Sequence, residues 1–225
     1  FDLDGKIAFV SGASRGIGEA IAKLLAQQGA HVIVSSRKID GCQAVADAIT
    51  AEGGKATAIA CHIGEMEQIQ NVFAQIREQF GRLDILVNNA AVLALGSVEE
   101  LPLADFERTL AINVRSVFVA TQAAVKHMGD GGRVISIGST NAERMPFAGG
   151  ATYAMSKSAL VGLTKGLARD LGPRGITVNN VQPGPVDTDM NPDDGDFAET
   201  LKGLMALPRY ARSEEIGRAS CRERV

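Results

Sequence analysis

Tyr153 and Lys157 are the residues whose types and spacing most directly suggest chemistry. They are four positions apart, so a helix would place the phenol and the ammonium on one face. A free phenol has a pKa near ~10, and a fixed cation beside it favours the phenolate and lowers that pKa. The pair therefore predicts a proton-transferring tyrosine. Because Tyr-x-x-x-Lys also occurs on ordinary helices, the prediction depends on what the rest of the chain places around it.

The composition describes a chain of 225 residues with a net charge of −3 and charges of both signs interspersed. This length suffices for one α/β domain, and the charge pattern offers no basic surface for nucleic acid or an anionic membrane. The sequence has no apolar run of membrane-spanning length, no signal-peptide pattern at its N-terminus and no metal-ligand spacing of cysteine or histidine. We therefore expect a cytoplasmic protein with reduced cysteines and without a metal.

A glycine-rich turn follows the first predicted strand, residues 7–10, and precedes an apolar pattern of helical period. A second strand, residues 31–35, completes a βαβ unit. Glycines let the backbone approach a pyrophosphate, whose charge is stabilised at the helix N-terminus. The turn therefore predicts a dinucleotide site with contacts from Gly12, Ser14, Arg15, Gly16, Ile17 and Gly18.

The end of the second strand indicates which dinucleotide binds. NAD sites carry Asp or Glu about 20 residues beyond the glycines, but Ser35–Lys38 contains no acid. Arg37 can pair with a 2′-phosphate, which a carboxylate would repel, and Arg15 adds a second cation. The sequence predicts NADP(H) rather than NAD(H). The alternative is that Arg37 and Lys38 are solvated surface charges.

Strands and helices continue to alternate along the chain. Further strands are predicted at residues 56–60, 84–87, 133–138 and 176–181, with helices at 40–51, 66–80, 104–127 and 153–171. This alternation predicts an α/β fold, a single doubly wound domain of Rossmann type with a parallel sheet. Ligands bind beyond the carboxyl ends of such strands, so Asn88 and Asn89 are expected on the cofactor side.

Taken together, the motifs resemble the short-chain dehydrogenase/reductase family, from about Leu3 to Ile216. The resemblance rests on Gly12-x-x-x-Gly16-x-Gly18, Asn88-Asn89-Ala90, Asn113, Ser139, Tyr153-x-x-x-Lys157 and Pro183-Gly184.

The resemblance implies a role for each matched residue. Tyr153 would be the acid in reduction and the base in oxidation, and Lys157 would lower its pKa and hold the nicotinamide ribose. Ser139 would donate to the developing oxyanion, and Asn113 would hold a water of the proton relay. Asn88 would line the ribose region of the cofactor. Further cofactor contacts are expected from Ala90, Pro183, Gly184, Val186 and Thr188.

Three positions depart from the family pattern. Thr140 stands at the usual spacing before the tyrosine, one residue after Ser139. The loop resembles a subgroup with one extra residue, which favours Ser139. His62 lies in the region where the family often has an aspartate that contacts the adenine. Two alternatives stay open: His62 contacts the adenine, or it makes no cofactor contact. Ala91 replaces a usual glycine.

The C-terminal residues also depart from the family pattern. Residues 217–225 show neither strand alternation nor an apolar helical stripe, and residues 215–225 match the translation of a sequencing-adapter read-through. The alternative is a genuine basic tail. We expect a domain over residues 1–215, a non-native tail at 216–225, and a sheet without its last strand and helix. In the family this end helps to build a homodimer or homotetramer, which we expect to be impaired here.

The leading functional prediction is an NADP(H)-dependent oxidoreductase that transfers hydride between the nicotinamide and a small carbonyl or secondary alcohol, as a carbonyl reductase or a 3-oxoacyl-reductase-like enzyme. The alternative is a non-enzymatic nucleotide-binding regulator on the same fold. The complete proton-transfer set favours the enzyme. Substrate identity would be decided by the loops around residues 93–96, 144–150 and 190–204.

Overall fold

The computed structural model describes residues 2–222, which fold around one sheet of six parallel strands. In chain order the strands are β1 Ile7–Ser11, β2 His31–Ser36, β3 Lys55–Ala60, β4 Leu83–Asn88, β5 Met128–Ile137 and β6 Thr177–Val181. The helices are α1 Gly16–Gln27, α2 Ile39–Ala51, α3 Met66–Phe80, α4 Leu103–Leu110, α5 Ser116–Ala124, α6 Ala151–Leu171, α7 Gly195–Gly203 and α8 Ser213–Arg222. The predicted doubly wound Rossmann-type fold is confirmed.

The central strands β1, β2 and β4 consist mainly of buried apolar residues, as expected where both faces of a parallel sheet are covered. Phe9 of β1 points into a core built with α3 and α5, whereas its neighbour Val10 points into a second core built with α1 and α2. Period-two alternation thus divides each strand between two apolar layers.

The spatial strand order is β3-β2-β1-β4-β5-β6, so the direction of winding reverses between β1 and β4. At such a reversal the connections on either side diverge and leave a crevice beyond the carboxyl ends of the strands. Residues that directly follow β1, β4, β5 and β6 therefore meet at one edge of the sheet.

The predicted helix over 104–127 is interrupted in the structure. α4 ends at Leu110, a π-helical turn spans Ala111–Arg115, and α5 ends at Ala124. Asn113 lies in this turn. Its side chain accepts a hydrogen bond from the Val92 N–H at 2.9 Å and donates one to the Val92 carbonyl at 2.9 Å. These two bonds hold the widened turn against the loop after β4, as is common for π-helical turns near functional sites.

The tail differs from its sequence-based prediction. α8 covers part of it and packs along α1, with Ile216 and Ser220 buried one turn apart. Gly217 permits the close approach, because an added Cβ would lie 3.3 Å from the Ala20 carbonyl oxygen. The prediction that the chain lacks a last helix was therefore wrong. In residues 2–222 β6 is the edge strand and no seventh strand follows it; residues 223–225 of the predicted tail lie outside the described residues, and its origin stays a prediction.

No helix in residues 2–222 is long and apolar enough to cross a membrane.

Candidate active site

A cavity of about 900 Å³ opens beyond the carboxyl ends of the strands. Residues directly after β1, β4, β5 and β6 line it, as the strand order requires. Sixteen of the predicted site residues lie in its wall: Gly12, Ser14, Arg15, Gly16, Ile17, Gly18, Arg37, His62, Ala90, Ser139, Tyr153, Lys157, Pro183, Gly184, Val186 and Thr188. The structure therefore brings together residues up to 176 positions apart in the chain.

The glycine turn forms one end of this cavity, which we call the cofactor half. Gly12 and Gly16 have φ angles of 63° and 57°, which favour glycine. At Gly18 an added Cβ would lie 2.3 Å from the Gly12 carbonyl oxygen and 2.5 Å from Asn89 Nδ2. Only a glycine fits there, because the turn is folded tightly onto the start of α1.

Asn89 holds the glycine turn in place, a role that the sequence analysis missed. Its side-chain amide donates to the carbonyl oxygens of Ser11 at 3.0 Å and Gly12 at 3.1 Å. The Ser11 hydroxyl in turn accepts from the backbone N–H groups of Asn89 and Ala90. The adjacent ends of β1 and β4 are thereby locked together. The Asn-Asn doublet was the available signal, but the sequence did not indicate which amide faces the turn.

Asn88 does not lie where the sequence analysis expected it. Its side chain is buried under the sheet and donates to the Thr121 hydroxyl at 3.3 Å. It is absent from the described cavity wall. The expectation that Asn88 lines the ribose region was wrong, because successive side chains at the end of β4 point to opposite faces.

Two arginines stand at the mouth of the cofactor half. Arg37 is exposed and forms no ion pair with another residue in 2–222, so its guanidinium is free to bind an anion. Arg15 instead pairs with Asp189 at 3.1 Å, and both side chains are largely exposed. This exposed pair contributes little stability and can be exchanged for a phosphate partner.

His62 and Cys61 line the wall between β3 and the cavity. The Nδ1 atom of His62 accepts the Gly64 N–H at 3.1 Å, so the neutral imidazole carries its proton on Nε2. Burial raises the pKa of the Cys61 thiol to about 11, which leaves it protonated at neutral pH. This wall therefore offers a neutral apolar surface with one imidazole.

Tyr153 and Ser139 meet between the two halves of the cavity. Ser139 follows β5, and its Oγ accepts the Asn141 N–H at 3.1 Å, which leaves its O–H free to donate. The Ser139 side chain faces the Tyr153 phenol closely enough to lower its pKa. Thr140 is exposed, and its backbone N–H is fixed by the Pro183 carbonyl at 2.9 Å. The geometry thus brings Ser139, rather than Thr140, to the phenol.

Lys157 lies one turn beyond Tyr153 on α6 and is buried. Its Nζ donates to the Ile137 carbonyl at 2.8 Å and lies 5.8 Å from the centre of the Tyr153 ring. Burial lowers the pKa of Lys157 to about 8. The ammonium therefore has two further donors available at the cavity wall, and it exchanges protons close to neutral pH.

The expectation that Lys157 lowers the pKa of Tyr153 stays a prediction. Burial raises the pKa of the phenol above its ordinary value, and the Ser139 side chain offsets only part of that effect. Desolvation of the phenolate is the largest cause of this shift. Tyr153 is accordingly a neutral phenol at neutral pH and is poised to donate its proton.

Asn113 lies behind the cavity wall rather than in it. In addition to its two bonds with Val92, its amide donates to Ser156 Oγ at 3.0 Å, and the Ser156 hydroxyl donates to the Tyr153 carbonyl at 2.7 Å. The side chain therefore connects the π-helical turn to the backbone of α6. Its observed bonds position the helix that carries Tyr153.

The other end of the cavity, which we call the substrate half, is largely apolar. It is lined by Leu93, Leu95, Pro146, Phe147, Met190, Phe197, Leu201, Leu204 and Met205. The loop before α6 is held there by a hydrogen bond from the Gly96 N–H to the Gly149 carbonyl at 2.9 Å. The sequence analysis located these loops but did not identify the individual side chains.

The cofactor half fits a phosphorylated dinucleotide. The glycine turn presents backbone at the N-terminus of α1, where a Cβ at Gly18 would collide with the chain. Such a surface matches a pyrophosphate. The free Arg37 at the rim matches a 2′-phosphate in charge, since Ser35–Lys38 contains no carboxylate; the first one after β2 is Asp40, which also lines the cavity.

Comparison with known proteins agrees with this site. The family model for short chain dehydrogenases matches residues 6–198. A short-chain dehydrogenase/reductase from Serratia marcescens BCRC 10948 has a TM-score of 0.96 at 61% identity, over 98% of this chain and 90% of that one. A short chain dehydrogenase from Burkholderia cenocepacia J2315, crystallised in complex with NADP, has a TM-score of 0.94 at 49% identity, over 97% and 90%.

A curated relative carries a different description. The cyclic-di-GMP-binding biofilm dispersal mediator protein of Escherichia coli (strain K12) is 43% identical over 212 residues, which are 94% of this chain and 86% of that protein. Solved structures of similar proteins contain NADP or NADPH. The motif set, the parallel sheet and these matches lead to one conclusion: this chain belongs to the short-chain dehydrogenase/reductase family, and its cofactor is NADP(H).

Proposed function

We propose that the protein is an NADP(H)-dependent oxidoreductase that reduces a ketone, aldehyde or 3-oxoacyl carbonyl to the alcohol. The observation that carries the proposal is the meeting of Ser139, Tyr153 and the buried Lys157 in one cavity wall, with Lys157 Nζ 5.8 Å from the centre of the Tyr153 ring. NADPH supplies the hydride when bound, and the chain supplies the proton and the orientation of both partners.

Tyr153 acts as the general acid in this proposal. A carbonyl oxygen placed against the phenol receives the proton as negative charge develops on it, and the Ser139 O–H donates a second hydrogen bond to the same oxygen. Because burial keeps the phenol protonated, reduction needs no prior protonation step. In the reverse direction the phenol must first lose its proton.

Lys157 restores the proton of Tyr153 and holds the cofactor. Its Nζ is fixed by the Ile137 carbonyl, and its remaining N–H groups are suited to the hydroxyls of the nicotinamide ribose. A pKa of about 8 lets the ammonium give up a proton at a small free-energy cost. Asn113 serves as a positioning residue through its bonds to Val92 and Ser156, rather than holding a relay water with its side-chain amide.

The cofactor contacts are assigned by position. We propose that the turn from Gly12 to Gly18 holds the pyrophosphate, Arg37 and Arg15 the 2′-phosphate, and His62 the adenine. Residues after β6 would fix the nicotinamide carboxamide: Pro183, Gly184, Val186 and Thr188. A cytoplasmic location and a homo-oligomeric assembly remain predictions, and sedimentation of the purified chain would test the second.

A second candidate function is a nucleotide-binding regulator. It is favoured by the Escherichia coli relative, which is described as a cyclic-di-GMP-binding biofilm dispersal mediator. A regulator needs the cofactor half but not the combination of Ser139, Tyr153 and Lys157. Binding of NADPH without turnover of any carbonyl compound would favour this reading over the enzyme.

The two functions are separated by the chain's two tyrosines, Tyr153 and Tyr210. Tyr153→Phe should lower kcat for carbonyl reduction about 10²- to 10⁴-fold while NADPH affinity is kept, because only the acid is removed. Tyr210→Phe is the matched control, since its hydroxyl bonds Asn191 at 3.4 Å and Tyr210 itself is not among the described residues of the cavity wall. Equal kcat in the Tyr153→Phe variant and the parent chain would overturn the proposed mechanism.

A further inference from the structure

The substrate half contains two phenylalanines from different elements. Phe147 lies in the loop before α6, six positions before Tyr153, and Phe197 lies in the first turn of α7. Their ring centroids are 5.3 Å apart with an interplanar angle of 79°, an edge-to-face pair. This geometry is favourable for aromatic rings because the positive edge of one meets the negative face of the other.

The pair joins α7 to the wall of the cavity. Phe147 packs against a small cluster formed by Ala198, Leu201 and Tyr210, which lies apart from both main cores. Lys202 of α7 pairs with Asp193 at 2.7 Å and steadies the start of the helix. The position of Phe197 thus depends on a few local contacts.

Phe197 still leaves 48% of its surface exposed despite this contact. The exposed ring surface borders the cavity, close to apolar residues such as Leu95 and Leu204. A flat apolar group bound here would cover ring surface that water now contacts, and this burial favours binding.

Polar groups are sparse in this half. The described polar side chains of its wall include Asn141, Arg144 and Asn191, and Asp189 is already paired with Arg15. Asn191 accepts the Tyr210 hydroxyl. A polyhydroxylated substrate would bury hydroxyls against Leu, Met and Phe without partners, which disfavours binding.

From these observations we propose that the substrate is a ketone or aldehyde carrying an aromatic ring, and that Phe147 and Phe197 determine this selectivity. The inference rests on the proposed carbonyl-reductase function. It deepens that function by assigning the substrate class and the two residues that recognise it.

The test compares two ketones of matched reactivity. Benzylacetone and its cyclohexyl analogue carry the ring two methylenes from the carbonyl, so the ring does not alter the chemistry of reduction. The parent chain should show a kcat/KM about three- to tenfold higher for benzylacetone, the range expected for one aromatic contact. Dihydroxyacetone should be the poorest of the three.

Phe197→Leu and Phe147→Leu should each bring the ratio for the two ring ketones to about one, since an apolar side chain without a ring loses the aromatic contact. NADPH affinity should not change. Phe118→Leu is the matched control, because Phe118 on α5 is 47% exposed and lies outside the cavity wall.

The outcomes separate the two levels of inference. Equal kcat/KM for the ring ketones in the parent chain, or preference for dihydroxyacetone, overturns the substrate class and leaves the reductase function standing. A ratio kept in both Phe→Leu variants overturns the assignment to these residues. Reduction of none of the ketones by a chain that binds NADPH overturns the reductase function and the inference with it.

Discussion

The cofactor half is built by backbone contacts between buried strands, whereas the substrate half is built by side chains of a helix that packs outside both main cores. In the first, Asn89 ties the ends of β1 and β4 together and Gly18 approaches the Gly12 carbonyl without room for a methyl group. In the second, α7 is held by a satellite cluster around Leu201 and Tyr210.

Because the two halves are built differently, one cavity can combine a rigid cofactor site with an adjustable substrate site. In the cofactor half an added side-chain atom collides with neighbouring backbone, as at Gly18, so this half tolerates few substitutions. Apolar side chains on a separately packed helix can be exchanged at small cost to the fold. We therefore expect substitutions to affect binding and turnover most in the glycine turn and less at the rim of the cavity.

The largest effect is expected at Gly18. Gly18→Ala places a Cβ 2.3 Å from the Gly12 carbonyl oxygen, so the turn must open and NADPH affinity should fall more than about 100-fold. Gly203→Ala is the same change at the end of α7, where an added Cβ meets no atom within 4 Å, and it should leave affinity unchanged. Fluorescence titration with NADPH measures both. Equal affinities would remove the proposed contrast between the halves.

The second test concerns Ser139 and Thr140, two adjacent hydroxyl residues at the boundary between the halves. Ser139→Ala should lower kcat about 100-fold, because one donor to the developing oxyanion is lost. Thr140→Ala should stay within about threefold of the parent, since the Thr140 side chain is exposed and its fixed group is a backbone N–H. A large loss of kcat for Thr140→Ala, together with retained activity for Ser139→Ala, would show that Thr140 rather than Ser139 donates to the developing oxyanion.

At the rim of the cofactor half the expected effect is on selectivity. Arg37→Asp replaces the free cation by a carboxylate, which repels a 2′-phosphate and accepts hydrogen bonds from ribose hydroxyls. The ratio of NADPH affinity to NADH affinity should fall at least about tenfold, so that the variant binds NADH more tightly than NADPH. Lys38→Asp, one position further, is the control for a general change of charge. An unchanged ratio for Arg37→Asp would show that Arg37 is a solvated surface charge.

The last effect is on stability, at the buried ammonium, rather than on binding or turnover. Burial lowers the pKa of Lys157 from 10.5 to about 8, so between these values the unfolded chain binds more protons than the folded one. The buried charge therefore destabilises the fold fully below pH 8, by about 3 kcal/mol at most, and this penalty is relieved as the pH rises toward 10.5.

Lys157→Met should accordingly raise the free energy of unfolding at neutral pH, and its advantage over the parent should shrink above pH 8. Urea denaturation of both proteins at several pH values measures the difference. An advantage that stays constant with pH would mean that the ammonium is not desolvated in the folded chain.

Several features could be predicted from the sequence because they are local. The glycine turn between a strand and a helix, the missing acid after β2 and the spacing of Tyr153 and Lys157 are all set within one or two elements. They predicted the Rossmann-type fold and the cofactor, which are confirmed, and the roles of the individual site residues, which stay predictions.

Other features depend on contacts between distant segments. Asn88 and Asn89 are adjacent and identical in type, and only the packing of β4 against β1 decides which amide holds the glycine turn. The last helix was not predicted because the buried stripe of α8 consists of Ile216, Gly217 and Ser220, of which only Ile216 is a large apolar residue. A search for apolar residues at helical spacing does not detect such a stripe.

The sequence by itself determined the order of the elements, the sheet that they form and the chemistry of the residues at its edge, because these follow from hydrophobic period, turn residues and side-chain type. The tertiary structure alone decided the protonation of Tyr153, the choice of Ser139 over Thr140 at the phenol, and the pairing of Phe147 with Phe197. Desolvation, hydrogen-bond geometry and ring contact are properties of neighbours in space, and residues far apart in the chain become neighbours only when it folds.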